Sequence, residues 1–141
     1  MAFPTACGIV CPSSMSKKTN KTISHATIIG VGLLGGSIGL ALRRAHPRAR
    51  ITGVGRREES LRLACRIGAI DEGVLDAVEC IDQSDLVILA TPVCAFEGHL
   101  KRIRNRLKPG CLVTDVGSTK AEVVKIAERV FGRGGPFVGS H

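Results

Sequence analysis

Along this chain, short runs of consecutive apolar residues alternate with longer stretches in which apolar side chains recur every three or four positions. The first run, Ala26-Thr27-Ile28-Ile29, predicts a strand that stops at Gly30. Residues 33–45, rich in Leu, Ile and Ala and closed by basic residues and Pro47, predict a helix. A second strand is expected over 50–54. An amphipathic helix follows over 58–67, with Leu61, Ala64 and Cys65 at helical spacing and Gly68 as its stop. The stretch 69–84 is less regular; a short strand near Gly73 and Val74 and then a turn of helix are expected. Residues 85–90, Asp-Leu-Val-Ile-Leu-Ala, form the plainest buried strand. A helix over 95–107 would turn Leu100, Ile103 and Leu107 inward, and Lys101, Arg102, Arg104 and Lys108 outward. After a Pro109-Gly110 turn come a strand over 111–115 and a helix over 121–130, with Val123, Val124 and Ala127 on one side. Phe137-Val138-Gly139 begins a final strand.

Strands that alternate with helices imply right-handed βαβ units on a parallel sheet. The expected fold is therefore α/β: a Rossmann-type, doubly wound parallel sheet in a single domain over residues 25–141. Residues 1–24 are expected to be a disordered extension, with Met15 an alternative start to the chain. The 141 residues suffice for one complete core but not for two. Aromatics are scarce, four Phe with no Trp or Tyr. The core must then come from Ile, Val, Leu and Ala, a mix suited to strands buried on both faces.

Charge narrows the partners. Lys and Arg outnumber Asp and Glu by 20 to 12, a formal +8 that attracts anions. A phosphorylated cofactor and solvated helix faces account for it. Nucleic acid is not expected, because there is no stacking aromatic series and no zinc-ligand pattern. No apolar stretch reaches the ~20 residues that span a bilayer, so no membrane segment is expected. Of six cysteines, Cys65, Cys94 and Cys111 lie in apolar segments and are expected to pack as small core residues, whereas Cys7 and Cys11 read as thiols of a loose tail. No CxxC pair occurs, and Cys7 and Cys11, which could chelate a metal, are too few ligands for a zinc site, so no metal is expected. A reducing compartment, the cytoplasm, follows.

The chemistry centres on Gly30-Val31-Gly32-Leu33-Leu34-Gly35, a GxGxxG run placed directly after a predicted strand and before a predicted helix. Gly30 would make the tight turn, Gly32 would let the backbone approach a pyrophosphate, and Gly35 would let helix and strand pack closely. Helix amides at Leu33, Leu34 and Gly35 would face the phosphates. Where NAD-preferring sites usually carry Asp or Glu, this chain reads Gly55-Arg56-Arg57. Two guanidinium groups there suit a 2′-phosphate, which favours NADP over NAD. Glu58 and Glu59 follow, and are read as serving the next helix's dipole. Thr91-Pro92-Val93 ends the buried strand, and Asp115-Val116-Gly117-Ser118 ends the next. Both loops fall at the carboxyl edge of the sheet, where such folds bind ligands. Thr91, Pro92, Val93, Asp115 and Ser118 are accordingly expected to adjoin the cofactor.

Taken together, GVGLLGGSIGLAL (30–42), DLVILATPV (85–93), LKPGCLVTDVGSTK (107–120) and FVGSH (137–141) resemble the N-terminal half of the prephenate/arogenate (cyclohexadienyl) dehydrogenases of tyrosine biosynthesis. The resemblance runs from about residue 26 to the end. It implies oxidative decarboxylation with hydride transfer to a nicotinamide, converting prephenate to 4-hydroxyphenylpyruvate or arogenate to tyrosine. It also implies that His141 bonds and polarises the substrate's ring hydroxyl, and that Ser118 lies close to that histidine and the nicotinamide. A neutral imidazole near physiological pH suits the role. The family further implies a second, all-helical domain that forms a homodimer and supplies arginines for the substrate carboxylates. The chain stops at His141, so it is expected to bind cofactor but to turn over poorly, and to expose an apolar face prone to self-association.

Two other readings stand beside this one: a non-catalytic dinucleotide-binding module, and another Rossmann oxidoreductase such as a β-hydroxyacid dehydrogenase or imine reductase. His25, His46 and His99 have no carboxylate or Cys partner at ligand spacing, which again argues against a metal.

Overall fold

The computed structural model describes residues 22–140. Five strands form one parallel sheet in the order β3-β2-β1-β4-β5: β1 His25–Ile29, β2 Arg50–Val54, β3 Glu72–Val74, β4 Leu86–Leu89 and β5 Leu112–Asp115. Between and after them run α1 Leu33–Ala45, α2 Glu58–Arg66, α3 Phe96–Ile103 and α4 Lys120–Phe131. This is the doubly wound Rossmann arrangement that the alternation of elements predicts. β1 is central, in register with β2 from His25↔Arg50 to Ile29↔Val54 and with β4 from Ala26↔Leu86 to Ile29↔Leu89.

Alternating residues of each strand feed two separate cores. On one face Ala26, Ile28, Ile51, Leu86 and Ile88 pack with Leu61 and Ala64 of α2 and with partly buried Ile38 and Leu42 of α1. On the other, Ile29, Val54, Val87, Leu89 and Val113 pack with Phe96, Leu100 and Ile103 of α3 and Val123, Ile126 and Val130 of α4. Strands buried on both faces explain the near-continuous apolar runs.

The long crossing from β3 to β4 is made by two short 3-10 turns, Ala77–Glu79 and Ile81–Gln83. The first is held by a capping box: the Asp76 carboxylate accepts from the Val78 amide, and Glu79 accepts from the Asp76 amide. The expected helix over 95–107 is shorter. After Arg104 N–H bonds Leu100, Arg106 N–H bonds Ile103 in a tighter turn, and the chain leaves the helix before Pro109. The expected strand at 137–139 forms a single bridge, Val113↔Phe137. Cys111 is buried as expected, but Cys65 and Cys94 are exposed, since α2 turns Leu61 and Ala64 rather than Cys65 to the sheet and Cys94 lies in a solvent-facing turn.

Ser24 also joins the structure, donating its amide to Asp85 Oδ2 and accepting from the Arg50 amide. Cys7, Cys11 and nearly all of the 1–24 extension lie outside the described residues, as does His141. Among the described residues no helix is long and apolar enough to cross a membrane.

Candidate functional site

At the carboxyl edge of the sheet the chain leaves β1 and β4 in opposite directions, because β1 continues towards β2 and β4 towards β5. That crossing point is where open α/β sheets leave a crevice for a ligand. The loop after β1 is the glycine run. Gly30 has φ +101°, a conformation that side chains disfavour, and a Cβ on it would stand 2.7 Å from the Ala90 carbonyl oxygen and 2.9 Å from Thr91 Cγ2. The turn is thus pressed against the end of β4. A Cβ on Gly35 would lie 1.9 Å from the Gly30 carbonyl oxygen, so the first turn of α1 rests directly on the glycine loop.

Gly32 is different. Nothing lies within 4 Å of the place its Cβ would occupy. It is the N-cap of α1, with no side-chain cap and no acidic residue in the first turn. The amides at the start of this 13-residue helix are therefore uncapped beside open space. Leu33 and Leu34 are exposed there, 88% and 59%.

Val31 links this turn to the end of β2, since a Cβ on Gly55 would touch its Cγ2 at 3.4 Å. Beyond Gly55, Arg56 and Arg57 are both exposed, and neither guanidinium makes a hydrogen bond or ion pair among the described residues. Glu58, by contrast, is paired with Arg62 on α2 at 2.7 Å. Arg56 reaches the field of His99 on α3: burial, then the charges of Arg102 and Arg56, hold that imidazole below its ordinary pKa. Arg102 of α3 and Arg56 of the loop after β2 thus contribute positive charge to this corner, which the sequence did not associate with His99.

After β4, the Thr91 hydroxyl is shielded from solvent and has no partner among the described residues. After β5, Val93 Cγ2 stands 3.1 Å from where a Cβ on Gly117 would be, which joins the two loops. Asp115 is buried, and its carboxylate turns inward to accept from the Gly117 amide at 2.7 Å and the Ser140 amide at 3.3 Å. Ser118 is exposed at the loop's tip. The structure therefore gathers Gly30, Gly32, Gly35, Thr91, Val93, Asp115 and Ser118 along one edge, with Arg56 and Arg57 at its far end. No set of three His, Cys, Asp or Glu residues that could hold a metal occurs among the described residues.

The profile of the "prephenate dehydrogenase, nucleotide-binding domain" family matches residues 38–141. The chain belongs to this family. Two curated relatives are prephenate dehydrogenases: that of Lactococcus lactis subsp. cremoris is 42% identical over 81% of this chain and 32% of its own length. That of Bacillus subtilis is 36% identical over 81% of this chain and 31% of its own. The chain thus spans about a third of the length of the curated relatives it matches. Among solved structures, the prephenate dehydrogenase of A. aeolicus in complex with hydroxyphenyl propionate and NAD+ superposes with TM-score 0.75 at 35% identity, over 82% of this chain and 40% of that one. The Synechocystis arogenate dehydrogenase gives TM-score 0.72 at 26% identity, over 82% and 39%. As a member of the prephenate dehydrogenase nucleotide-binding family, the chain carries the fold its motifs pointed to.

Two positions carry more of this edge than their motifs indicated. Gly39 lies one helical turn past Gly35, and a Cβ there would stand 2.2 Å from the Ala69 carbonyl oxygen. The i, i+4 spacing of small residues was the available signal. Ser140 bonds Asp115 through both its amide and its hydroxyl, for which sequence offered no signal beyond its place next to His141.

Proposed function

We propose that this chain is the cofactor-binding half of a dehydrogenase that oxidises and decarboxylates prephenate or arogenate, using NADP in preference to NAD. The observation that carries the reading is the uncapped start of α1 beside open space at Gly32, placed at the crossing of β1 and β4. A pyrophosphate fits there by both shape and charge. The shielded, unpartnered Thr91 hydroxyl gives a second fit, since a cofactor hydroxyl or amide would satisfy it.

In this reading Gly32 and the amides of Leu33, Leu34 and Gly35 hold the pyrophosphate. Arg56 and Arg57, unpaired among the described residues, clamp the 2′-phosphate. Thr91, Pro92, Val93 and Ser118 line the nicotinamide end, with the buried Asp115, expected from the sequence to adjoin the cofactor, turned inward behind them. The nicotinamide supplies the hydride acceptor when bound. His141, outside the described residues, accepts the proton of the substrate's ring hydroxyl as CO2 and hydride depart, and Ser118 orients that hydroxyl and the imidazole. NAD is the alternative, supported by the NAD+ held in the A. aeolicus relative.

The test is calorimetric titration of NADP and NAD into the chain, repeated with Arg56→Ala plus Arg57→Ala. The expected result is tighter NADP binding whose advantage vanishes in the double variant. Equal affinities would overturn the NADP preference, and binding of neither would overturn the dinucleotide site.

A further inference from the structure

Asp115 is 2% exposed, and no cation pairs with it among the described residues. A buried carboxylate in that position must be satisfied by hydrogen bonds, and here the donors are chosen from two different segments. Oδ2 accepts from the Gly117 amide at 2.7 Å, within the loop that leads to Ser118. Oδ1 accepts from the Ser140 amide at 3.3 Å, and the Asp115 carbonyl accepts from Ser140 Oγ. Ser140 is the residue before His141.

The surroundings are shaped for this carboxylate. A Cβ on Gly117 would stand 3.0 Å from Oδ2 and 3.1 Å from Val93 Cγ2, so a larger residue would crowd the bond. Alongside β5 the segment 136–140 begins as a strand: Val113 N–H donates to the Pro136 carbonyl at 2.9 Å, and Val138 N–H to the Val113 carbonyl at 2.8 Å. Side chains then take over from the backbone ladder. Thr114 Oγ1 donates to the Val138 carbonyl at 2.7 Å, and Asp115 holds Ser140.

We propose that Asp115 is a positioning residue, whose buried carboxylate locks the Ser118 loop and the segment leading to His141 into one register. Resting on the dehydrogenase reading above, Asp115 touches neither reacting atom and acts through Ser118 and His141. A charged acceptor is used because both oxygens must accept, and an amide could accept on only one.

The experiment is NMR on the full 141-residue chain, comparing it with Asp115→Asn and with Ser140→Pro. In Asp115→Asn, amide exchange at Gly117 or Ser140 rises about tenfold or more while amides of β1 and β4 keep their rates. The His141 ring resonances are expected to differ from those of the urea-unfolded chain before substitution and to move to the unfolded positions after it, and parent resonances already at the unfolded positions overturn the proposal. In Ser140→Pro, which removes both the amide and the hydroxyl donor of Ser140 and leaves the Gly117 donor in place, the His141 ring moves likewise while Gly117 stays protected. Unchanged exchange at both amides in Asp115→Asn, exchange rising equally throughout the sheet, or a His141 ring that ignores either substitution overturns the proposal. If Asp115→Asn does not fold, the His141 ring in Ser140→Pro decides. Titration of NADP into the unsubstituted chain reports on the dinucleotide reading separately, so failure of one is not mistaken for failure of the other.

Discussion

Gly39 of α1 lies flat against the backbone of Ala69: a Cβ at Gly39 would stand 2.2 Å from the Ala69 carbonyl oxygen and 3.0 Å from its carbonyl carbon. Both partners are backbone-anchored, so neither can move aside cheaply. Gly39→Ala is expected to cost about 1–3 kcal/mol through overpacking. Gly36, three residues earlier, has nothing within 4 Å of its Cβ position. Gly36→Ala should instead stabilise by about 0.5–1 kcal/mol, through helix propensity alone. Urea unfolding midpoints of the two variants at equal m-value check both signs.

The open space at Gly32 separates folding from binding. Gly32→Ala meets no protein atom within 4 Å, so its unfolding free energy should stay within about 0.5 kcal/mol of the parent. The added methyl fills the path of a pyrophosphate to the α1 amides. NADP affinity should fall about tenfold or more, equivalent to about 1.4 kcal/mol, in calorimetric titration. Unchanged affinity would place the phosphates elsewhere.

Asp85 ties the sheet's amino edge together. Its carboxylate pairs with Lys108 at 2.7 Å and accepts the amides of Ser24 and His25. The Lys108 ammonium first, and then those amides, hold its pKa down to about 2 against the opposing effect of burial. A lowered folded-state pKa gives stability that is present above the unfolded value of about 3.9 and lost as pH falls through the folded one. Asp85→Asn is expected to cost about 1–2 kcal/mol at pH 7, after allowance for solvent screening. The gap to the parent should close as pH falls from about 5 to about 2 in thermal melts. A gap that persists at acid pH would assign the effect to packing.

Thiol chemistry reads out the orientation of α2 and of the turn after β4. Cys65 and Cys94 are exposed, whereas Cys111 is buried and burial pushes the Cys80 thiol above its ordinary pKa. Brief iodoacetamide treatment followed by peptide mass spectrometry should find Cys65 and Cys94 labelled well before Cys80 and Cys111. Early labelling of Cys111 would mean that the β5 edge opens.

Much of this architecture could be read along the chain because its signals are local. Near-continuous apolar runs mark β1, β2 and β4, and an apolar-rich stretch closed by basic residues and Pro47 marks α1, almost to the residue, since strands buried on both faces and a helix packed on a sheet leave those local signals. The GxGxxG run also declares itself, as a left-handed turn and an uncapped helix start require glycine within a few residues. The end of α3 was less legible, because the helix stops by tightening at Arg106 rather than at a breaker.

By itself, then, the sequence determined the parallel α/β sheet, its order of elements and the glycine turn at the head of α1, all consequences of contacts between near neighbours in the chain. Tertiary structure alone decided what those elements meet. It set Gly39 on Ala69, turned Cys65 to solvent, and aimed the Asp115 carboxylate at Ser140, 25 positions away. A pattern names the face an element buries; only the packed fold supplies the atoms on the other side.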